Sequence, residues 1–227
     1  MVLAAKVFEV REETNLDSIA AKLKGYTMKD VFEQEENRIE LLTEIRDLTM
    51  AAGSLTGVFS QDQVLGIPHR GQVRYIPRTI EASFVFTQRG PRIQLIILEK
   101  KQRANNIANQ LSKLLFIVAG TVVEARIPPE VLQRFHEANF DDTKVIFFDD
   151  LDLPNIDKLS LYGAGLGNTS LYTDYLSHGK LWYIVLRSKK YGLVVGVTRN
   201  CVVTSFSKVD QQTFLVYIEE EILPLVA

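Results

Sequence analysis

One cysteine and three histidines are all that the chain holds of the two side chains that form disulfides or most often bind transition metals, and a single tryptophan is present. A lone Cys201 cannot form an internal disulfide, and its setting, NCVVTSF, reads as strand and makes it a small buried hydrophobe. That fits a reducing, intracellular setting, cytoplasmic or, in a eukaryote, nuclear. His69, His136 and His178 fall in three separate segments, and none belongs to a metal-binding spacing such as H-E-x-x-H. G-x-S-x-G, a Walker lysine and a dinucleotide fingerprint are all missing. The glycines of GAGLGN, 163–168, follow a short strand with no helix signal after them, so the stretch reads as a turn and not a phosphate loop. No catalytic residue, metal or cofactor is therefore assigned, no small-molecule substrate is evident, and a non-enzyme is expected. Long apolar runs are absent too: LIIL at 95–98 and LLFIVAG at 114–120 fall well short of the ~20 residues that span a bilayer. MVLAAKVFEV is interrupted by Lys6 and Glu9 and reads as a first strand, not a leader.

What is present is an ordinary globular composition, 46% hydrophobic and 24% charged. Helical periodicity marks NLDSIAAKLKG (15–25), with Leu16, Ile19 and Leu23 on one face and Gly25 at the stop. It also marks RANNIANQLSKLLFIV (103–118) and DQQTFLVYIEEEILPLV (210–226), the latter with Asp210 as N-cap and Phe214, Ile218, Ile222 and Leu225 facing inward. A shorter helix follows Pro128. Between the helices lie strand-like runs: RIELLTEIRDL, SLTGVF, TIEASFVFT, RIQLIILEK, TVVEARI, KVIFFDDLDL, KLSLYGAG, KLWYIVLRS and LVVGVTRNCVVTSF. QRGPR at 88–92 and SKKYG at 188–192 supply tight turns, which require antiparallel neighbours.

Laid end to end, these elements repeat as helix, strands, loop, strand, tight turn, strand and helix, at an offset of roughly a hundred residues. No Gly/Ser-rich or proline-rich linker appears near residue 120. The expected fold is α+β: two helix–meander–helix halves, 1–120 and 121–227, joined as one pseudo-symmetric curved antiparallel sheet with helices on one face. In topology this order resembles the saddle of the TATA-binding-protein fold. The resemblance implies the fold only, since the intercalating phenylalanine pairs of that family have no counterpart here.

Charge is segregated. Residues 64–113 carry 9 basic and 2 acidic groups, whereas 114–175 carry 4 and 10. The basic stretch opens with GIPHRGQVRYIPR, placed in a long loop before a strand, where Arg70, Arg74 and Arg78 could meet phosphates and Tyr75 could stack on a base. It continues through Arg89, Arg92, Lys100, Lys101 and Arg103. The second half offers a weaker set, Arg187, Lys189, Lys190 and Arg199, beside a face of small and hydrogen-bonding side chains that includes Thr198 and Asn200. Asp141, Asp142, Asp149, Asp150, Asp152 and Asp157 lack the spacing of a calcium loop and read as acidic surface. The expected function is a non-catalytic binding module for nucleic acid acting through 66–103. The alternative is an adaptor that joins a protein partner, or copies of itself, through complementary acidic and basic segments.

Overall fold

The computed structural model describes residues 2–34, 37–116 and 120–226. The chain forms two compact units, one of residues 8–123 and one of residues 1–7 with 124–227.

In the N-terminal unit, α1 (Leu16–Leu23) begins where the Asn15 side chain accepts from the Ser18 N–H at 2.8 Å. It ends at Gly25, which takes φ +68°. Five strands then pair antiparallel in chain order: β2 (Thr27–Gln34), β3 (Asn37–Ala51), β4 (Ser54–His69), β5 (Gln72–Arg89) and β6 (Arg92–Ile97). Ala52 and Gly53, both at positive φ, close the β3–β4 turn in the mirror geometry that suits strand twist. α2 (Lys101–Leu115) follows β6 and stops at Phe116, which is extended where helix was expected; residues 117 and 118, where the helix was expected to continue, lie outside the described residues. Leu16, Ile19 and Leu23 of α1 and Ala104, Ile107, Leu111 and Leu115 of α2 pack in one core with Ile45, Leu55, Phe59, Phe84, Phe86, Leu95 and Ile97. Each buried Leu, Ile or Phe side chain among these stabilises by roughly 1.5–3 kcal/mol. Ile93 to Ile97 are all buried, so β6 is covered on both faces.

The second unit takes residues 3–7 of β1 (Leu3–Val10). Its strands pair antiparallel in the order β1, β12 (Val202–Ser205), β11 (Val194–Thr198), β10 (Lys180–Arg187), β8 (Thr143–Asp149), β9 (Leu159–Tyr162). β7 (Val122–Glu124) pairs with β1. The helices are α3 (Pro129–Glu137), α4 (Ser170–His178) and α5 (Gln211–Tyr217), which continues as a π turn over Ile218–Ile222. Asp210 caps α5, accepting from the Thr213 N–H at 2.9 Å.

The mixed α+β class and antiparallel pairing stand, but the two units differ in topology. The N-terminal meander has only sequential neighbours, whereas β8 lies between β9 and β10, with α4 on the path back. The run expected as one strand, LVVGVTRNCVVTSF, is a hairpin, turned at Arg199–Cys201 with Cys201 at φ +54°. A helix does follow GAGLGN: Thr169 caps α4 by accepting from the Tyr172 N–H at 3.2 Å. Gly167 is there because an added Cβ would lie 2.0 Å from the Phe140 ring. No helix among the described residues is long and apolar enough to cross a membrane.

Candidate nucleic-acid interface

GIPHRGQVRYIPR is not a loop. β4 and β5 stay paired for sixteen consecutive residues, from Ser54 opposite Thr87 to His69 opposite Gln72, and the chain reverses in two residues. Those residues, Arg70 at φ +49° and Gly71 at φ +81°, form the turn of type I′. The prolines that suggested a loop are tolerated by register. In a two-residue hairpin the closing pair exchanges hydrogen bonds and the pattern alternates outward, so Pro68 (opposite Val73) and Pro77 (opposite Val64) fall where the N–H would point away from the partner strand. Nothing is lost on their outer sides either, because β3 pairs with β4 no further than Gln61 and β6 pairs with β5 no further than Phe84.

From Asp62 and Thr79 outward the hairpin is therefore a free two-stranded arm of eight residue pairs, roughly 25 Å long. No residue of it is buried. Strand alternation puts Arg74 and Arg78 on one face with Leu65, Ile67 and Ile76, and the opposite face carries Val64, Pro68, Val73, Tyr75 and Pro77. Leu65, Ile67, Val73 and Ile76 are 40–50% exposed. Arg70, Arg74 and Arg78 are exposed and make no ion pair or hydrogen bond with any described residue. Tyr75 is occupied within the protein, since its ring lies 5.1 Å from that of Phe32 in β2, two strands from β4 in the sheet, and passes over Gly66, so one side-chain contact braces the arm without strand pairing. It also lies on the face opposite Arg74 and Arg78, so stacking on a base bound by those arginines does not fit its position.

The arm is anchored at its root. The Asp62 carboxylate accepts from the Thr79 hydroxyl at 2.6 Å and from the Leu42 N–H at 3.0 Å, and these bonds hold its pKa below the ordinary value. Gln61 and Gln110 of α2 exchange hydrogen bonds at 3.0 and 3.2 Å. Arg103 lines a small hollow with Gln63 and Ile80 and pairs with Glu99 at 2.9 Å, bringing the first turn of α2, with Lys100 and Lys101, beside the base of the arm. Arg89 and Arg92 lie elsewhere. They flank the Gly90–Pro91 turn at the far end of β5, 11 residues along the strand from Arg78 at the nearest, roughly 36 Å.

In the second unit most of the expected cations are engaged. Lys190 pairs with Glu220, Lys189 donates to the Ala138 carbonyl at 3.1 Å, and Arg199 pairs with Asp149 and lies 3.8 Å from Asp150. Arg187 is exposed at the end of β10. The Thr198 hydroxyl donates to Asn200 Oδ1 at 2.6 Å and accepts from the Val202 N–H at 3.0 Å, so both residues build the β11–β12 turn. Burial pushes the Asp149 carboxyl up, against the lowering effect of Arg199. His136 is fully buried among Phe140 and Tyr172, with Nδ1 3.1 Å from the Tyr172 hydroxyl, and burial lowers its pKa to about 4. Among the described residues no three His, Cys, Asp or Glu side chains converge as a metal-binding set.

Sequence reading missed β2 and Phe32. Thr27–Gln34 is exposed along almost its whole length, so its apolar residues carry no strict alternation to mark it. Compared with known proteins, the chain matches no family model and no curated protein.

Proposed function

We propose that the chain is a non-catalytic nucleic-acid-binding module that grips its ligand with the β4–β5 arm. The reading rests on one observation: three arginines on a protruding ribbon have no carboxylate partner among the described residues, while Arg46, Arg103, Arg199 and Lys190 are all paired. Unpaired guanidinium groups on an extended element give up little when they move onto phosphates, and each contact releases condensed counterions. A two-stranded ribbon also fits a B-form major groove about 12 Å wide, and eight pairs span roughly eight base steps. Leu65, Ile67 and Ile76, beside Arg74 and Arg78, then meet thymine methyl groups or wedge between steps instead of water.

The test is fluorescence anisotropy with a short labelled duplex and its single strand at low salt. Wild type is expected to bind the duplex more tightly, and the triple change R70A/R74A/R78A to weaken it at least about tenfold with the fold intact, since exposed arginines contribute only ~0–1 kcal/mol each to stability. A second reading is favoured by the exposed aliphatic residues themselves: the arm clasps a protein partner and the chain is an adaptor. Absent binding of either nucleic acid by wild type would shift the assignment to it.

A further inference from the structure

The geometry points to a second binding site, independent of the arm, in the unit of residues 1–7 and 124–227: a cleft that takes the oxyanion of a small organic ligand. The cleft has a volume of about 670 Å³, within the range of small-ligand pockets, and its polar wall comprises Glu124, Arg126, Asp150, Lys180, Arg199 and Asn200.

Backbone hydrogen bonds fix that wall. The Ala125 N–H donates to the Val7 carbonyl at 3.2 Å and the Ile127 N–H to the Arg199 carbonyl at 2.8 Å, so the segment runs extended with Ala125 and Ile127 buried. Alternation then turns Glu124 and Arg126 outward together. Opposite them the Cys201 N–H donates to the Thr198 carbonyl at 3.0 Å, closing the turn that presents Arg199 and Asn200. Because Asn200 Oδ1 is taken by the Thr198 hydroxyl, the amide nitrogen faces the cleft without an acceptor among the described residues.

Most of the charges on and behind this wall are paired, and Arg126 is the exception. Lys6, wholly buried, pairs with Glu124; Arg199 pairs with Asp149; Lys180 lies 3.7 Å from Asp150. One carboxylate oxygen of Asp149 is buried without a partner among the described residues. Withdrawing charge from water costs free energy that a plain structural contact would not require. Arg126 has no partner among the described residues at all. Three cations (Arg126, Lys180, Arg199) against two anions (Glu124, Asp150) line the cleft, which leaves it one positive charge in excess; the two paired neighbours behind it, Lys6 and Asp149, cancel each other in the count. One anionic group seated by Arg126, Lys180 and the Asn200 amide balances it. The apolar wall of Ile127, Pro128 and Pro129 receives the body of the ligand, and Pro128 brings no side-chain cap to the positive end of α3, which opens on the same space.

Isothermal titration calorimetry of the full chain with inorganic phosphate, adenosine monophosphate and acetate tests the site. Saturable one-site binding is expected, weakened about tenfold by Arg126→Ala and likewise by Lys180→Ala, with no loss of the melting temperature for Arg126→Ala because Arg126 is exposed and unpaired among the described residues. A response confined to phosphate and the nucleotide assigns a phosphorylated ligand, and one confined to acetate assigns a carboxylate. The arm variant R70A/R74A/R78A should bind these probes like wild type, which separates this site from the proposed function. Absence of saturable binding by all three probes at millimolar concentration, or binding that survives both Arg126→Ala and Lys180→Ala, overturns the proposal.

Discussion

A side chain added at residue 196 has nowhere to go, because its Cβ would lie 2.4 Å from the Tyr183 hydroxyl oxygen and 3.0 Å or less from ring carbons. The Tyr183 ring lies across β11, so Gly196→Ala should destabilise the protein by about 1–3 kcal/mol, read as a lower urea midpoint. A midpoint equal to wild type would mean the ring is free to swing away. His136 is the residue whose chemistry should show in a pH profile. Its folded-state pKa, about 4, lies below the ordinary 6.5, so well above pH 6.5 neither state is protonated and the stability is fully present. As the pH falls below 6.5 the unfolded chain takes up a proton that the folded chain refuses, and stability should drop by up to about 3 kcal/mol by pH 4. His136→Gln, which can still bond the Tyr172 hydroxyl but does not titrate, should flatten that part of the profile; an unchanged slope would assign the acid sensitivity to other groups. Cys201 is buried where its type suggested, yet in a turn and not a strand. The sequence offered no warning, because a cysteine at positive φ is held there by the hydrogen bonds of Thr198 on either side and not by any preference of its own.

At the scale of elements, the arm is an appendage to a core that does not need it. No residue from Val64 to Pro77 is buried, so replacing that stretch by an Asn-Gly turn between Gln63 and residue 78, a hydrogen-bonded pair of the register, together with Arg78→Ala, should leave stability within ~1 kcal/mol of wild type while abolishing nucleic-acid binding. Loss of cooperative unfolding in the shortened chain would show instead that the Phe32–Tyr75 contact supports the sheet. α1, α2, α3 and α5 were legible because each has a clear apolar stripe and, for α1 and α5, a capping side chain at the start, whereas α4 buries only Tyr172 and shows no such stripe. The arm was not. Its prolines and glycines are turn-formers by type, and only the pairing partner decides whether a proline sits at a position that needs its N–H. β2 escaped for the converse reason: an edge strand exposed on both faces shows no burial pattern to read.

At the scale of the whole molecule, the apparent repeat came from counting each run of strand formers as one strand. The turn at Arg199–Cys201 and the helix after GAGLGN break the match, and neither is signalled by a proline or by a strong apolar period. The charge segregation was legible, but composition could not say which cations are spoken for. Geometry separates Arg70, Arg74 and Arg78, which have no partner among the described residues, from Arg103, Lys190 and Arg199, which do.

With a net charge of −2 and an isoelectric point near 6.0, the chain as a whole does not attract a polyanion. Any binding must come from a local set of contacts, and its salt dependence counts them. The decisive measurement is log affinity for a short duplex against log salt, for wild type and for R70A/R74A/R78A. If each arginine meets one phosphate, the slope should be shallower by about 0.9 per residue removed, close to three in all. Equal slopes for the two proteins, or no binding by wild type at the lowest salt, would contradict the assignment of the arm to nucleic acid.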